Sequence, residues 1–78
     1  MTVQAYILVQ TQVGTASEVT QHIRGLVGVT VAEDVTGPYD VIVRAEAESM
    51  DQFGQGLLTD IQALSGVTRT LTCPIVSL

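Results

Sequence analysis

The fold is decided by a short pattern that occurs twice, first as Ile23-Arg24-Gly25-Leu26-Val27-Gly28-Val29-Thr30 and, 38 residues later, as Ile61-Gln62-Ala63-Leu64-Ser65-Gly66-Val67-Thr68. Both copies read I-x-x-L-x-G-V-T. Each is typical of the last turn of a helix, then a glycine that adopts a left-handed backbone without a Cβ clash, then the start of a β-branched strand. Because the offset is close to half of the 78-residue chain, the pattern predicts two similar strand-helix-strand halves.

Each predicted helix begins with a capping-box pattern, in which a hydroxyl and an acid or amide satisfy the free amides of the first turn. Thr15 and Glu18 form the first box, and Ser49 and Gln52 form the second. Two glycines inside the second helix predict that it is slightly weak. Apolar residues at helical spacing predict one buried face per helix: Ala16, Val19, Ile23 and Leu26 in the first, and Met50, Phe53, Leu57, Leu58, Ile61 and Leu64 in the second.

Four segments rich in valine, isoleucine and threonine are predicted as strands. The resulting order, β-α-β-β-α-β in a single domain spanning 1–78, is that of the ferredoxin-like motif. Right-handed crossovers place both helices on one face of a four-stranded antiparallel sheet, an α+β fold of the dimeric α/β barrel type. The predicted strands are Val3 to Gln10, Val29 to Val35, Asp40 to Ala47 and Val67 to Val76.

The other face of the sheet is left uncovered, and strand alternation predicts which side chains lie on it. In the last strand we expect Val67, Leu71, Cys73 and Ile75 to face the helices, which makes Cys73 a small buried hydrophobe. The three threonines between them are then expected on the uncovered face. We interpret that face as a dimerisation surface, with its interface formed by Tyr6, Leu8, Ile42 and Arg44.

Composition and charge exclude several classes of function. The chain is 46% hydrophobic, carries a net charge of −5 and has three cationic residues, all arginine. Phosphate neutralisation requires clustered positive charge, so neither direct nucleic-acid binding nor an anionic membrane surface is expected. No membrane span and no signal peptide are recognisable, which predicts a cytoplasmic protein. So small and apolar a chain exposes strand surface as a monomer, which predicts a homo-oligomer.

The segment Val35-Thr36-Gly37-Pro38-Tyr39-Asp40-Val41-Ile42-Val43 joins the second and third predicted strands. Glycine and proline form a tight connection, with one aromatic ring and one carboxylate at its tip. On residue chemistry alone we favour an ordinary turn, in which Asp40 accepts hydrogen bonds from nearby backbone amides. The alternative is that Asp40 receives the ammonium group of a ligand beside the hydroxyls of Thr68 and Thr70.

The remaining polar residues do not form a catalytic or metal-binding pattern. His22 is the only histidine, and no nucleophile or acid stands at a spacing that would make it catalytic. The acidic residues Glu33, Asp34, Glu46 and Glu48 lack His or Cys companions, and we interpret them as solvated charge. No cofactor and no metal are therefore predicted.

The turn at 33–44 and the run Gly66-Val67-Thr68-Arg69-Thr70-Leu71-Thr72 closely resemble the C-terminal effector domain of the Lrp/AsnC family, also called the RAM domain. The most specific element is T-G-x-Y-D followed by a hydrophobic run, and G-V-x-R-T-x-T supports it near the end. The resemblance covers essentially the whole chain. Regulators of the family carry an N-terminal helix-turn-helix, whereas this chain begins almost directly with the first strand, so it resembles a stand-alone effector domain.

The resemblance implies a non-enzymatic, amino-acid-binding module linked to the transcriptional regulation of amino acid metabolism. It implies dimers paired through their sheet faces, which assemble into tetramers, octamers or decamers, and possible hetero-assembly with full-length regulators. A free amino acid is expected where dimers meet, at positions that match Gly37, Pro38, Tyr39, Asp40, Thr68, Thr70 and Thr72. Two alternatives remain: a small dimeric ferredoxin-like enzyme of the isomerase or cofactor-free oxygenase type, and a purely structural assembly module.

Overall fold

A computed structural model describes residues 2–76, so that residues 1, 77 and 78 of the predicted domain lie outside the described part. The elements are β1 (Val3–Thr11), α1 (Ala16–Arg24), β2 (Val29–Asp34), β3 (Val41–Ala47), a second helix α2 (residues 50–62) and β4 (Val67–Pro74). The four strands form one antiparallel sheet, as predicted for a ferredoxin-like α+β fold, and their order in it is β2-β3-β1-β4. Helix α2 consists of three segments, Met50–Gln52, Phe53–Leu58 and Thr59–Gln62.

The core lies between the sheet and the two helices, where the apolar stripes of both helices meet alternate residues of the central strands. Val19 and Ile23 of α1 are fully buried there, as predicted, whereas Met50, which was predicted in the stripe of α2, is half exposed. The strands contribute the residues that alternation predicts to face the helices. The buried apolar side chains are Ala5, Ile7, Val9, Val19, Ile23, Ala32, Val41, Val43, Ala45, Phe53, Leu57 and Ile61.

The two helices begin at the predicted residues but use different bonds there. Ser49 accepts a hydrogen bond from the backbone amide of Gln52 at 3.1 Å, which is the expected half of a capping box. Thr15 occupies the N-cap of α1 but caps no amide with its side chain, because its hydroxyl donates to the carbonyl of Gln12 at 2.8 Å. The capping box predicted at Thr15 is therefore wrong, although the boundary is right.

The middle of α2 is a π-helix, Phe53–Leu58, which contains the two glycines that predicted a weak helix. The buried residues Phe53, Leu57 and Ile61 are spaced four apart. At 3.6 residues per turn, each step of four rotates the side chain by about 40° away from the core. A wider π-helical turn reduces this rotation. The segment therefore keeps all three side chains against the sheet.

The repeated sequence pattern forms the same structure twice. Gly28 and Gly66 both have φ = +98°, as the C-terminal glycine of each pattern requires. The carbonyl of Gly28 accepts from the amide of Glu46, and the carbonyl of Gly66 accepts from the amide of Gln12, each at 2.8 Å. The predicted similarity of the two halves is thus present in the backbone hydrogen bonds.

Each copy of the pattern also ends in a β-bulge, and the bulge in β4 overturns the predicted facing of that strand. The pairing with β1 shifts between Gln10 and Thr11, which leaves Thr68 as an extra residue. One inserted residue reverses which side every later residue faces. Leu71 and Cys73 therefore lie on the uncovered face, opposite Leu8 and Tyr6, while Thr70 and Thr72 lie on the helix face, opposite Val9 and Ile7.

The outer edge of β2 is partly occupied by a side chain of α1. Arg24 donates from Nε to the carbonyl oxygen of Ala32 at 3.0 Å, although Ala32 already pairs with Val43 on the other side of the strand. A long cationic side chain at an edge carbonyl hinders another strand from pairing there. No helix within residues 2–76 is long and apolar enough to cross a membrane.

Candidate ligand site and subunit interface

The turn between β2 and β3 is fixed by backbone hydrogen bonds at the residue where the predicted motif ends. The amide of Asp40 donates to the carbonyl of Val9, and the carbonyl of Asp40 accepts from the amide of Val35, both at 2.9 Å. Gly37 has φ = +136°, a backbone conformation that residues with a side chain rarely adopt. The glycine of the motif is thus required by the backbone of this turn.

The carboxylate of Asp40 is held by the last residue of β1. Its Oδ2 accepts from the backbone amide of Thr11 at 2.8 Å and from the Thr11 hydroxyl at 3.2 Å. Asp40 is half-buried, and the two residues are 29 positions apart in sequence. The prediction that Asp40 accepts from a backbone amide holds, but the amide belongs to a neighbouring strand. Both hydrogen bonds accepted by the carboxylate within residues 2–76 go to Oδ2.

Gln10 connects the turn to the start of β4. Its Nε2 donates to the carbonyl of Pro38 at 3.5 Å, the upper limit for a hydrogen bond, and its Oε1 lies at the same distance from the Thr68 hydroxyl. Thr68 also donates to the carbonyl of Gln10 at 3.1 Å. The end of β1 therefore holds the two predicted halves of the site together, and neither Gln10 nor Thr11 was predicted to take part.

The three threonines of β4 do not form one row of hydroxyls on the uncovered face, which corrects the sequence-based expectation. Thr68 sits in the bulge beside Gln10. Thr70 accepts from the side-chain amide of Gln62 in α2 at 3.0 Å, and Thr72 is half-buried on the same helix side. Within one chain, the Thr68 hydroxyl is the one linked to the Asp40 turn, through Gln10, whereas Thr70 and Thr72 line the margin between β4 and α2.

The tip of the predicted ligand turn is open to solvent within a single chain. Gly37 and Pro38 are exposed, and an added Cβ at Gly37 would meet no atom within 4 Å. Tyr39 is half-buried. A cleft of about 570 Å³ lies at the opposite end of the sheet and includes none of the predicted ligand residues; it is lined by Thr2, Val27, Gly28, Glu46, Ala47, Glu48, Gln52, Gly56, Leu57 and Asp60.

The uncovered face carries an apolar row that crosses three strands. Ile42, Leu8 and Leu71 lie side by side on β3, β1 and β4. Leu71 is 43% exposed, and Val31 on β2 is 45% exposed on the same face. Because the bulge brings Leu71 and Cys73 here in place of the expected threonines, this face is more apolar than the sequence predicted. Cys73 is exposed in the single chain, so its prediction as a buried hydrophobe is wrong.

The neighbouring row holds the one arginine of the predicted interface. Arg44 lies opposite Tyr6 and donates from Nη1 to the Tyr6 hydroxyl at 2.8 Å and from Nη2 to Gln4 at 3.2 Å. The guanidinium carbon is 5.3 Å from the centre of the Tyr6 ring, within the range of a cation–π contact. These contacts tie the Arg44 side chain to its neighbours Tyr6 and Gln4 on the same face of the sheet.

Among residues 2–76, the other titratable side chains form no metal-binding group. His22 is exposed in the last turn of α1, consistent with the predicted solvated position. Within the described residues, His, Cys, Asp and Glu do not occur in groups of three that could hold a metal ion.

Comparison with known proteins identifies the class to which this fold and turn belong. The sequence profile of the Lrp/AsnC ligand binding domain matches residues 4–77. The chain therefore belongs to the Lrp/AsnC ligand binding domain family, a family of regulatory domains, as the resemblance of its turn and last strand implied. No curated protein matches the chain by sequence.

Solved structures with the same fold include both short proteins and longer regulators. The protein TTHA0845 from Thermus thermophilus is 24% identical over 97% of this chain and 95% of that chain, with a TM-score of 0.89. The hypothetical protein PHS023 from Pyrococcus horikoshii is 28% identical over 97% and 92% of the two chains, with a TM-score of 0.87. The transcriptional regulator NMB0573 from Neisseria meningitidis, solved in complex with L-Met, is 22% identical over 96% of this chain and 50% of that chain, with a TM-score of 0.83.

Proposed function

We propose that this chain is a non-enzymatic module that binds a free amino acid at the Asp40 turn and self-associates through its uncovered sheet face. We propose further that it takes part in transcriptional regulation. The observation that carries the proposal is the Asp40 carboxylate. It is fixed by two hydrogen bonds to Oδ2, while the turn around it is open to solvent. A carboxylate held in this way is a ready acceptor for an ammonium group.

A free amino acid needs complementary groups for both of its charges. Asp40 supplies the acceptor for the ammonium group, and hydroxyls or backbone amides supply donors for the carboxylate. The Thr68 hydroxyl stands on the same end of the sheet, linked to the turn through Gln10. Gly37, Pro38, Tyr39, Thr70 and Thr72 complete the predicted set. The binding of L-Met by the regulator from Neisseria meningitidis supports this class of ligand.

We infer that a second subunit encloses the site, because Gly37, Pro38 and Thr68 are exposed in one chain. The row formed by Ile42, Leu8 and Leu71 supports pairing of two copies through their sheets. Tyr6 and Arg44 lie beside that row and complete the proposed interface. Such dimers would associate further into tetramers, octamers or decamers, and the Asp40 turns would lie in the interfaces between dimers.

A partner of the regulator type would supply DNA recognition to the assembly. The 78 residues carry a net charge of −5, which disfavours their own contact with phosphate backbones. We therefore propose hetero-assembly with full-length regulators of the same family as the route by which ligand binding affects transcription.

Isothermal titration calorimetry of the full chain against the twenty free amino acids tests the proposed ligand class. We expect heat of binding with at least one of them, and its loss in Asp40→Ala, because removing the carboxylate leaves the ammonium group without an acceptor. Asp60→Ala, which removes an exposed carboxylate from α2, is the matched control and is expected to bind like the wild type. Absence of heat with every amino acid at millimolar concentration would contradict the proposal.

A further inference from the structure

The geometry points to Thr11 as a positioning residue for the Asp40 carboxylate, a role that rests on the proposed function. Thr11 supplies both of the hydrogen bonds that the Asp40 carboxylate accepts within the described residues, one from its backbone amide and one from its hydroxyl. Both bonds end on Oδ2. Under the proposed function the other oxygen, Oδ1, is the one that receives the ammonium group.

Two donors on one oxygen orient a carboxylate more strictly than one donor does. The terminal torsion of an aspartate is broad, so the plane of the carboxylate rotates easily when no donor fixes it. At 2.8 Å and 3.2 Å, the Thr11 amide and hydroxyl approach Oδ2 from the same residue. Their combined geometry selects one orientation of the carboxylate.

Thr11 is the last residue of β1 and lies opposite the bulge in β4. The pairing with β4 shifts between Gln10 and Thr11, so that Thr11 pairs with Val67 and Thr68 is the extra residue of β4. A β-branched side chain also has few χ1 rotamers, so the Thr11 hydroxyl stays where the backbone puts it.

The inference predicts that the hydroxyl of Thr11 contributes to ligand affinity without touching the ligand. Thr11→Val removes the hydroxyl but keeps the backbone amide and the branched shape. We expect this variant to bind the amino acid about fivefold to tenfold more weakly, the upper part of the range for one ordinary hydrogen bond, because the lost bond acts on the ligand only through Asp40. Thr11→Ser keeps a hydroxyl and is expected to restore affinity to within about twofold of the wild type.

Thr30 offers a matched control at the other end of the sheet. Its hydroxyl donates to the carbonyl of Arg44 at 2.9 Å in the corresponding bulge of β2. Thr30→Val therefore loses one threonine hydrogen bond, as Thr11→Val does, but far from the Asp40 turn. We expect both variants to lower the midpoint of thermal unfolding by similar amounts and only Thr11→Val to lose affinity.

Calorimetric titration measures the dissociation constant of the wild type and the three variants for the amino acid that gives heat with the wild type. Thermal unfolding measures the midpoint for the same four proteins. If Thr11→Val does not fold, the experiment uses Thr11→Ala in its place, because that variant removes the same hydroxyl. Weaker binding in Thr11→Val with recovery in Thr11→Ser is the expected result. Unchanged affinity in Thr11→Val, or equal losses in Thr11→Val and Thr30→Val, overturns this inference alone. A wild type that binds none of the amino acids overturns the proposed function as well.

Discussion

A methyl group added at Gly28 would lie 2.6 Å from the backbone carbonyl oxygen of Glu46. This carbonyl belongs to a paired strand and cannot move aside as the end of a flexible side chain does. The φ of Gly28, +98°, is also one that residues with a Cβ rarely adopt. Gly28 is thus fixed both by its own conformation and by its neighbour.

We predict that Gly28→Ala lowers the free energy of unfolding by about 3 kcal/mol, since it adds a backbone clash to the strain of a left-handed residue. Gly14→Ala is the control for strain alone, because Gly14 has φ = +83° and open space around it. We expect about 1 kcal/mol from that substitution. Urea unfolding of both variants measures the difference, and equal losses would show that the Glu46 carbonyl adjusts.

Sequence reasoning recognised the Asp40 turn but not the residue that holds it. The motif around Asp40 has a recognisable sequence pattern, whereas Thr11 is a single threonine at the end of a strand and belongs to no such pattern. A signal was nevertheless available in the topology. In the order β2-β3-β1-β4, the end of β1 lies beside the start of β3, so Thr11 is brought next to Asp40. The binding role of these residues stays a prediction until a ligand is measured.

At the scale of single elements, α2 contains two glycines that the chain itself does not require. An added Cβ at Gly54 or Gly56 would meet no atom within 4 Å, and neither has a positive φ. We predict that Gly54→Ala raises the free energy of unfolding by up to about 1 kcal/mol, because alanine restricts the unfolded chain without a clash.

A thermal unfolding curve tests the Gly54→Ala prediction, with an expected increase in the midpoint of several degrees. Gln55→Ala changes the exposed residue between the two glycines and is expected to leave the midpoint nearly unchanged. A lower midpoint accompanied by a lower mass in solution would be the opposite result. It would mean that a neighbouring subunit approaches the helix at Gly54.

The strands show where alternation succeeds and where it fails as a predictor. In β1 and β3 the expected faces are correct, because these central strands run without an inserted residue along their shared pairing. In β4 the expected faces are reversed after Thr68, because a bulge cannot be recognised from hydrophobic alternation. The pattern V-T-R-T-L-T-C places its apolar residues in one phase, and only the pairing with β1 shows that this phase changes sides at Thr68.

At the scale of the whole molecule, the row of Ile42, Leu8 and Leu71 is the surface on which the proposed assembly depends. We predict that Leu71→Glu converts the protein to monomers at micromolar concentration, because a buried carboxylate without a partner is costly. Val13→Glu is the control, since Val13 is fully exposed in the turn before α1 and outside the sheet. Sedimentation velocity measures the mass, and circular dichroism verifies the fold.

A wild type that sediments as a monomer at the same concentration would contradict the proposed interface. An unchanged assembly in Leu71→Glu would show that copies associate through another surface. In either case the family membership and the fold would stand, because they rest on the sequence profile and on the sheet and not on the oligomer.

The hydrogen bond from Arg24 to the edge of β2 bears on whether this protein can form fibrils. A fibril that grows by hydrogen bonding between sheets requires two free sheet edges on every subunit. Because Arg24 already occupies the Ala32 oxygen, a strand arriving at that flank must first displace it. We therefore expect strand addition to be hindered at the β2 edge. Although the chain exposes apolar surface, it should then form assemblies of finite size and not filaments.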